Sequence, residues 1–300
     1  MMFSITLLAP LLWSFYYNDG AALVFINAFG YTLAAGSMLW ILFRHNQDEM
    51  RIKDGFLVTV MFYVALGSFG SIPFAHVEGI GLSIPDALFE SFSGLTTTGA
   101  TVITGLETLP KSILFYRQQL QWLGGMGIIV LAVAILPMLG VGGMQLYRAE
   151  TPGPMKDSKL TPRIHQTAVA LWSIYLGLTA SCALAYKIAG MELFDAICHS
   201  FSTVAIGGFS TYDASIGYFN SPAIEMVAVV FMVVCGINFG LHFYAFKGGV
   251  KHYLTDDETR TYLVVLGIAA IITSAMLMIF DTYNDLEAVR ASVFTVVSIF

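Results

Sequence analysis

Residues 86–101 read Asp-Ala-Leu-Phe-Glu-Ser-Phe-Ser-Gly-Leu-Thr-Thr-Thr-Gly-Ala-Thr, and residues 195–210 read Asp-Ala-Ile-Cys-His-Ser-Phe-Ser-Thr-Val-Ala-Ile-Gly-Gly-Phe-Ser. Each stretch begins with an amphipathic segment of about ten residues, which is too short to cross a bilayer as a helix. The first continues into a run of Thr and Gly, and non-helical backbone at membrane depth needs protein or water around it. Such a stretch predicts a re-entrant segment made of a short helix and a loop.

The two stretches form an internal repeat. Asp86 aligns with Asp195, the Ser-Phe-Ser triplets align, and Gly99 aligns with Gly208. Long apolar runs precede and follow each copy. An internal repeat is stronger evidence of architecture than a single motif. It predicts a unit of span, short helix, Gly-containing loop and span.

The apolar runs place the chain in a membrane. The 300 residues are 57% hydrophobic and 11% charged, whereas soluble domains carry about 25% charged residues. The net charge of −6 argues against a nucleic-acid partner. Runs that predict spans lie at 21–43, 55–75, 118–141, 166–189, 223–246 and 261–280, and a shorter run at 3–17 predicts a helical hairpin with the next.

These segments predict an all-α integral membrane protein. An extra N-terminal helix pair occupies 1–53, and span–pore helix–span units occupy 54–150 and 151–254. A third unit begins at 255–300, and the sequence stops inside its short helix, so we expect the chain to be a fragment of a longer protein.

Basic residues set the expected orientation of this multi-pass chain. Cytoplasmic loops carry an excess of Lys and Arg. One set of loops holds ten of the fourteen, and we expect that side to be cytoplasmic. The ten are Arg44, Arg51, Lys53, Arg148, Lys156, Lys159, Arg163, Lys247, Lys251 and Arg260.

The repeated loops suit a dehydrated monovalent cation. Backbone carbonyls from several symmetric loops can replace the water around potassium, Gly accepts the backbone angles that this needs, and Thr adds a hydroxyl oxygen. The C-terminal end of each short helix would favour a cation near the pore centre. Packing of small residues between helices is the alternative at either loop alone, and two matched loops favour the ion site.

Two other classes of function remain open from the residues. A secondary carrier of sodium or protons also uses repeats and interrupted helices, although parallel rather than inverted repeats argue against most carriers. An intramembrane hydrolase is disfavoured, because the sequence has no HExxH or GxSxG motif and its six histidines are scattered. No covalent chemistry is expected.

Four motifs carry a resemblance to a known family. They begin at Gly94 (Gly-Leu-Thr-Thr-Thr-Gly-Ala-Thr-Val), Gln121 (Gln-Trp-Leu-Gly-Gly-Met-Gly-Ile-Ile), Gln145 (Gln-Leu-Tyr-Arg-Ala-Glu-Thr-Pro-Gly-Pro) and Ser200 (Ser-Phe-Ser-Thr-Val-Ala-Ile-Gly-Gly-Phe-Ser). The chain resembles the TrkH branch of the Trk/Ktr/HKT superfamily of potassium transporters almost from end to end.

The resemblance implies potassium uptake through a channel-like pore of four repeats in the bacterial inner membrane. It also implies lipid contact, a homodimer and a cytosolic TrkA-type nucleotide-binding regulatory subunit, for which the basic loops 148–163 and 247–260 are candidate contacts. The filter residues carried over are Thr96, Thr97, Thr98, Gly99, Ala205, Ile206, Gly207 and Gly208, with potassium held by the carbonyls of Thr97, Thr98, Ile206 and Gly207. Gly at the signature positions goes with potassium preference in this superfamily, and Ser goes with sodium.

Several polar or flexible positions beside the filter remain to be placed. Gly124, Gly125 and Gly127 predict a kink or close helix approach, or a pore-lining bend. Asn238 lies in the matching span and is a candidate pore-lining residue. We expect Arg117 to snorkel to the outer surface. Glu90 and His199 occupy equivalent positions, either behind the filter or at the surface.

Overall fold

The computed structural model describes residues 1–44, 52–77, 81–125, 127, 164–249, 251–280 and 283–299. Within these residues the regular elements are helices, and no strand occurs. The α-helices are α1 (Met2–Thr6), α2 (Leu8–Tyr17), α3 (Ala22–Phe43), α4 (Ile52–Gly70), α5 (Ile72–His76), α6 (Ile84–Leu95), α7 (Lys111–Gly125), α8 (Ile164–Ile188), α9 (Leu193–Val204), α10 (Pro222–Gly236), α11 (Phe239–Gly248), α12 (Lys251–Thr255), α13 (Asp257–Ile279) and α14 (Asp285–Ile299), and two 3-10 helices span Leu106–Thr108 and Ser215–Phe219.

Three of the described helices are long and apolar enough to cross a membrane, namely α3, α8 over Val169–Ile188, and α13. They lie at the predicted spans 21–43, 166–189 and 261–280. The predicted span 55–75 is divided between α4 and α5. The predicted span 118–141 begins earlier, at Lys111, and its part beyond residue 127 lies outside the described residues, as does the basic loop 148–163.

The predicted span 223–246 is broken into two helices, because α10 and α11 meet at an angle of 91°. Ile237 leaves the helix with an extended backbone (ψ 142°), and the side chain of Asn238 accepts a hydrogen bond from the Gly240 N–H at 2.9 Å. Asn238 therefore acts as the N-cap of a new helix. Apolar composition alone does not reveal such a cap.

The N-terminal hairpin docks on α7 through one carboxylate. Asp19 follows the left-handed turn residue Asn18 and accepts hydrogen bonds from Ser14 Oγ (2.5 Å) and from the Ser112 N–H (2.9 Å). Ser112 lies in the first turn of α7, where backbone N–H groups lack partners within the helix. The hairpin and α7 also share an apolar core that includes Phe25 and Tyr116.

Helix α7 lies at the centre of the described molecule, because it packs against both short helices, α6 and α9, and against α2. Two glycines permit this approach. A Cβ on Gly124 would lie 2.0 Å from the carbonyl oxygen of Leu95, and a Cβ on Gly125 would lie 2.6 Å from the Cβ of Ala205. The end of α7 thus needs bare backbone where it passes the ends of α6 and α9.

The connections that follow the two loops are tied together by Asp213. Its carboxylate accepts hydrogen bonds from the N–H groups of Leu106 (3.0 Å) and Gly105 (2.7 Å), and its own N–H donates to Glu107 Oε1 (3.1 Å). The hydrogen bonds from Leu106 and Gly105 lower the pKa of Asp213 below its ordinary value. This exposed bracket joins residues of the first and second repeats.

Substitution of Gly124 tests the close approach of α7. Gly124→Ala should lower the free energy of unfolding by about 1–3 kcal/mol, because the new methyl group overlaps a backbone carbonyl that cannot rotate away. Gly177→Ala is the matched control, since a Cβ there meets open space in α8, and it should be neutral or stabilising. Thermal unfolding of the purified variants in detergent distinguishes them, and equal melting temperatures would contradict the packing.

Substitution of Asp213 should give a pH-dependent effect. Because its pKa is lower in the folded than in the unfolded chain, the carboxylate contributes stability above about pH 4, and that contribution disappears as pH falls through the lowered folded value. The melting temperature should therefore be higher for the native chain than for Asp213→Asn at pH 7 and at pH 5. The two melting temperatures should converge in more acidic buffer. A difference that does not depend on pH would contradict the role of the Asp213 carboxylate.

Candidate functional site

The first short helix ends in a Schellman motif. The Thr97 N–H donates to the Gly94 carbonyl (3.0 Å) and the Thr98 N–H to the Ser93 carbonyl (2.9 Å), while Thr97 adopts a left-handed backbone with φ 56°. These are the two hydrogen bonds and the backbone angle that define this helix terminus. The last carbonyls of α6 are thereby paired before the chain enters the loop.

The second short helix ends in the same way. The Ile206 N–H donates to the Thr203 carbonyl (3.1 Å) and the Gly207 N–H to the Ser202 carbonyl (2.8 Å), with φ 51° at Ile206. Each atom of this set lies 109 residues after its counterpart in the first loop. The loop glycines also match, with φ 76° at Gly99 and φ 82° at Gly208.

This closure sets the direction of the loop carbonyls. In a planar trans peptide the carbonyl of one residue points opposite to the N–H of the next. The N–H groups of the two residues after each helix cap turn back to the helix, so the preceding carbonyls turn away from it. These are the carbonyls of Thr96 and Thr97 in the first loop and of Ala205 and Ile206 in the second.

Both motifs carry backbone strain at the same position. Gly usually occupies the left-handed position of a Schellman motif, and here it is Thr97 or Ile206. A β-branched residue in this conformation is an outlier, and the left-handed conformation costs about 1–2 kcal/mol for a residue with a Cβ. Strain of this kind persists only where surrounding contacts determine the geometry, and it concentrates at functional sites.

The two loops are in direct contact. A Cβ on Gly99 would lie 1.9 Å from the Gly207 carbonyl oxygen and 3.5 Å from the Gly208 Cα. A cavity of about 330 Å³ lies against both loops and is within the range of small-ligand sites. Its lining includes Thr98, Gly99, Ile206, Gly207 and Gly208, together with His199, Met232 and Phe294 from neighbouring helices.

Gln121 of α7 holds the second loop, a role that the sequence did not indicate. Its Nε2 donates to the Gly207 carbonyl at 2.6 Å, and its Oε1 accepts from the Phe209 N–H at 3.1 Å. The side chain is fully buried. The Gly207 carbonyl, one of the four predicted potassium ligands, therefore already has one donor, and its contact with potassium stays a prediction.

The threonine hydroxyls of the first loop form a short chain. Thr96 Oγ1 donates to the Phe92 carbonyl at 2.7 Å and lies 2.8 Å from Thr98 Oγ1. A hydroxyl has one proton to donate, so Thr98 is the donor in the second contact. The oxygen of Thr98 thus keeps acceptor capacity beside the cavity.

Equivalent polar contacts lie behind the two loops. Thr101 Oγ1 donates to Glu90 at 2.9 Å and accepts from the Ile103 N–H, whereas Ser210 Oγ pairs with His199 Nε2 at 2.9 Å and accepts from the Tyr212 N–H. Glu90 and His199 are both buried, at 0% and 1% exposure. They lie behind the loops, and a surface position is excluded.

The prediction that Arg117 snorkels to the surface is wrong, because its side chain is fully buried. Its Nε and Nη2 both lie 2.7 Å from Glu90 Oε1. A buried guanidinium is tolerated when an opposite charge and hydrogen bonds accompany it. The sequence signal that could have revealed the pair is Glu90 itself, because it lies in the middle of the short helix, whereas the other acidic residue of α6, Asp86, lies in its first turn.

The other candidate pore-lining residues lie in three different environments. Gly124 and Gly125 contact the ends of the short helices, as described above. Gly127 is buried with φ 70°, and its N–H donates to the Gly124 carbonyl at 2.9 Å. Asn238 caps α11. Whether these residues line or gate a pore stays a prediction.

Substitution at Ile206 tests the strain in the loops. Ile206→Gly should raise the free energy of unfolding by about 1 kcal/mol, because it removes the unfavourable Cβ, and little packing is lost from a side chain that is 37% exposed. Ile206→Ala is the control, since it shortens the side chain and retains the Cβ. If melting temperatures show the same change in both variants, strain is not the cause.

The sequence is similar to known cation transport proteins over nearly its whole length. The family model described as a cation transport protein, TrkH, matches residues 21–298. The chain is 56% identical over 300 residues to the Trk system potassium uptake protein TrkH of Halomonas elongata, covering all of this chain and 62% of the relative. It is 42% identical over 274 residues to Trk system potassium uptake protein TrkG of Escherichia coli, covering 91% of this chain and 56% of that protein.

A solved structure agrees with the fold. The crystal structure of the potassium transporter TrkH from Vibrio parahaemolyticus superposes with a TM-score of 0.87 at 50% sequence identity, covering 99% of this chain and 61% of that one. This chain thus spans about three fifths of the length of these TrkH relatives. The match over 21–298 and the identities together show that the chain belongs to the TrkH family of cation transport proteins.

Proposed function

We propose that the two loops form part of a pore that carries potassium ions across the bacterial inner membrane. The observation that carries the proposal is the contact between the loops, each with carbonyls turned away from its own helix. Rings of backbone carbonyls replace the hydration shell of potassium in channel filters. The names of the relatives, which are potassium uptake proteins, support the choice of ion.

The electrostatics of the loops suit a monovalent cation better than a divalent one. The described residues contain no group of three or more His, Cys, Asp or Glu able to hold a metal ion, whereas calcium sites usually include several carboxylates. The cation would meet neutral oxygens at the negative ends of two helix dipoles, each worth about 0.3–1 kcal/mol. Potassium is the transported ion here and not a resident cofactor.

The proposed pore consists of span–pore helix–span units with α6 and α9 as its pore helices. In this arrangement α4 and α7 flank the first loop, and α8 and α10 flank the second. The matched Schellman motifs support the repeat. A homodimer, lipid contact and a TrkA-type regulatory subunit belong to the same proposal, and the resemblance to the family supports them.

A secondary carrier for sodium or protons is the second candidate, because the 91° break between α10 and α11 is a feature of carriers with discontinuous helices. The two functions differ in their driving force. Passive potassium flux in liposomes without sodium and with the proton gradient collapsed supports the pore, whereas strict dependence on either gradient supports the carrier.

Substitution of Gly99 tests the proposed filter. Gly99→Ser, expressed from the gene that encodes this chain, should lower potassium permeability relative to sodium, because the new Cβ presses on the Gly207 carbonyl and separates the loops. We expect a change of about tenfold, equivalent to roughly 1.4 kcal/mol of differential ion binding. Fluxes of both ions into liposomes provide the ratio.

Gly105→Ser is the matched control for Gly99→Ser. Gly105 has nearly the same backbone angle, with φ 73° against 76°, but lies in the connection after the loop, where a Cβ comes no closer than 3.7 Å to its neighbours. It should reduce the amount of folded protein without changing the permeability ratio. An unchanged ratio in Gly99→Ser would exclude these loops as the filter.

A further inference from the structure

One guanidinium connects the two loops. Arg117 Nη2 donates to Thr101 Oγ1 at the end of the first loop (3.1 Å), and Nη1 donates to the Ser210 carbonyl at the end of the second (2.9 Å). The same group is paired with Glu90, and its Cζ lies 4.2 Å from the ring centre of Phe209. Arg117 itself belongs to α7 and to neither loop.

The contacts of Arg117 form a continuous chain behind the loops. It begins at Glu90, passes through Thr101 and Arg117 to Ser210, and ends at His199, whose Nδ1 pairs with the Asp195 carbonyl at 2.9 Å. Arg117, Glu90, His199 and Ser210 are at most 5% exposed. Because water is excluded from these groups, losing a partner leaves a buried donor or acceptor unpaired.

The geometry requires arginine and not merely a positive charge. Guanidinium presents five donors in a rigid plane, so it can reach two acceptors on opposite sides while it remains paired with a carboxylate. The ammonium of lysine is a compact point charge on a flexible stem. It has one nitrogen, so it cannot approach Glu90 with two nitrogens as Arg117 does. Lysine at this position could keep the charge balance and lose the bridge.

We propose that Arg117 is a positioning residue that fixes the two loops relative to each other, so that the preference for potassium depends on it. The inference rests on the proposed function, because it assigns a role in selectivity to the scaffold of the same filter. Arg117 contacts no proposed ligand atom. It acts through the terminal residues of the loops, Thr101 and Ser210.

The role of charge can be separated from the role of position. Glu90→Gln keeps the size of the side chain and leaves Arg117 able to reach both loops, but it leaves a buried positive charge uncompensated near the path of a cation. This variant should lower the rate of potassium flux more than the selectivity ratio. Arg117→Lys keeps the positive charge and breaks the bridge, so it should lower the ratio of potassium to sodium permeability.

The experiment measures the fluxes of potassium and of sodium into liposomes that contain protein expressed from the gene that encodes this chain. Arg117→Lys should reduce the potassium-to-sodium ratio about tenfold, equivalent to roughly 1.4 kcal/mol, which is about the contribution of one hydrogen bond that positions the loops. Arg290→Lys is the control, because Arg290 pairs with Glu225 at 3.1 Å on a partly exposed surface and has no described contact with either loop. It should leave the ratio unchanged.

A native ratio in folded Arg117→Lys would overturn the inference. If that variant cannot be purified, Thr101→Val decides, since it removes the contact with the first loop without changing any charge, and a native ratio in it would be equally decisive. Gly99→Ser is measured beside them. If Gly99→Ser changes the ratio and the scaffold variants do not, only the positioning role fails, whereas an unchanged ratio in Gly99→Ser removes the filter itself.

Discussion

A chain that stops being helical inside a membrane must pair its own backbone groups, because hydrocarbon offers no partners. In the proposed pore, helices α6 and α9 meet this constraint by closing on themselves. The N–H groups after each helix return to its last carbonyls, and the following carbonyls are left pointing away. An arrangement that satisfies the helix end therefore also presents bare oxygens, which are the groups that a dehydrated cation needs. The proposed ion site is therefore a consequence of how the two helices end.

The loops are held from outside by α7. Gln121 pairs with the backbone of the second loop, Arg117 reaches the ends of both, and two glycines allow α7 to approach the helix termini. These contacts explain how left-handed Thr97 and Ile206 persist, because strain of this size needs a surrounding structure that determines it. A buried ion pair contributes little net stability when desolvation is included. The Arg117–Glu90 pair is thus better understood as a determinant of geometry than as a source of stability.

Sequence reasoning predicted those parts of the molecule that depend on local patterns. Hydropathy located α3, α8 and α13, and the repeat predicted that Gly99 and Gly208 follow equivalent short helices. The break at Asn238 was missed, because a cap depends on one side chain and the apolar run continues past it. The roles of Gln121 and Arg117 were also missed, since both act on residues about ninety positions away. Contacts of that separation leave no periodic signal in one sequence.

The difference between Glu90 and His199 follows from the charge of Arg117. Both residues hold the hydroxyl at the end of their loop, so the geometry of the two repeats is the same. Arg117 is the one guanidinium that contacts both loops within the described part of the chain, and Glu90 already neutralises it. A carboxylate at position 199 would be buried against Ser210 with no second cation among its described contacts, and burying an unpaired charge is costly. A neutral imidazole can make the same hydrogen bond without this cost. One shared arginine thus allows a carboxylate in one repeat and favours a neutral residue in the other. The two repeats can keep the same structure because they differ in sequence at this position.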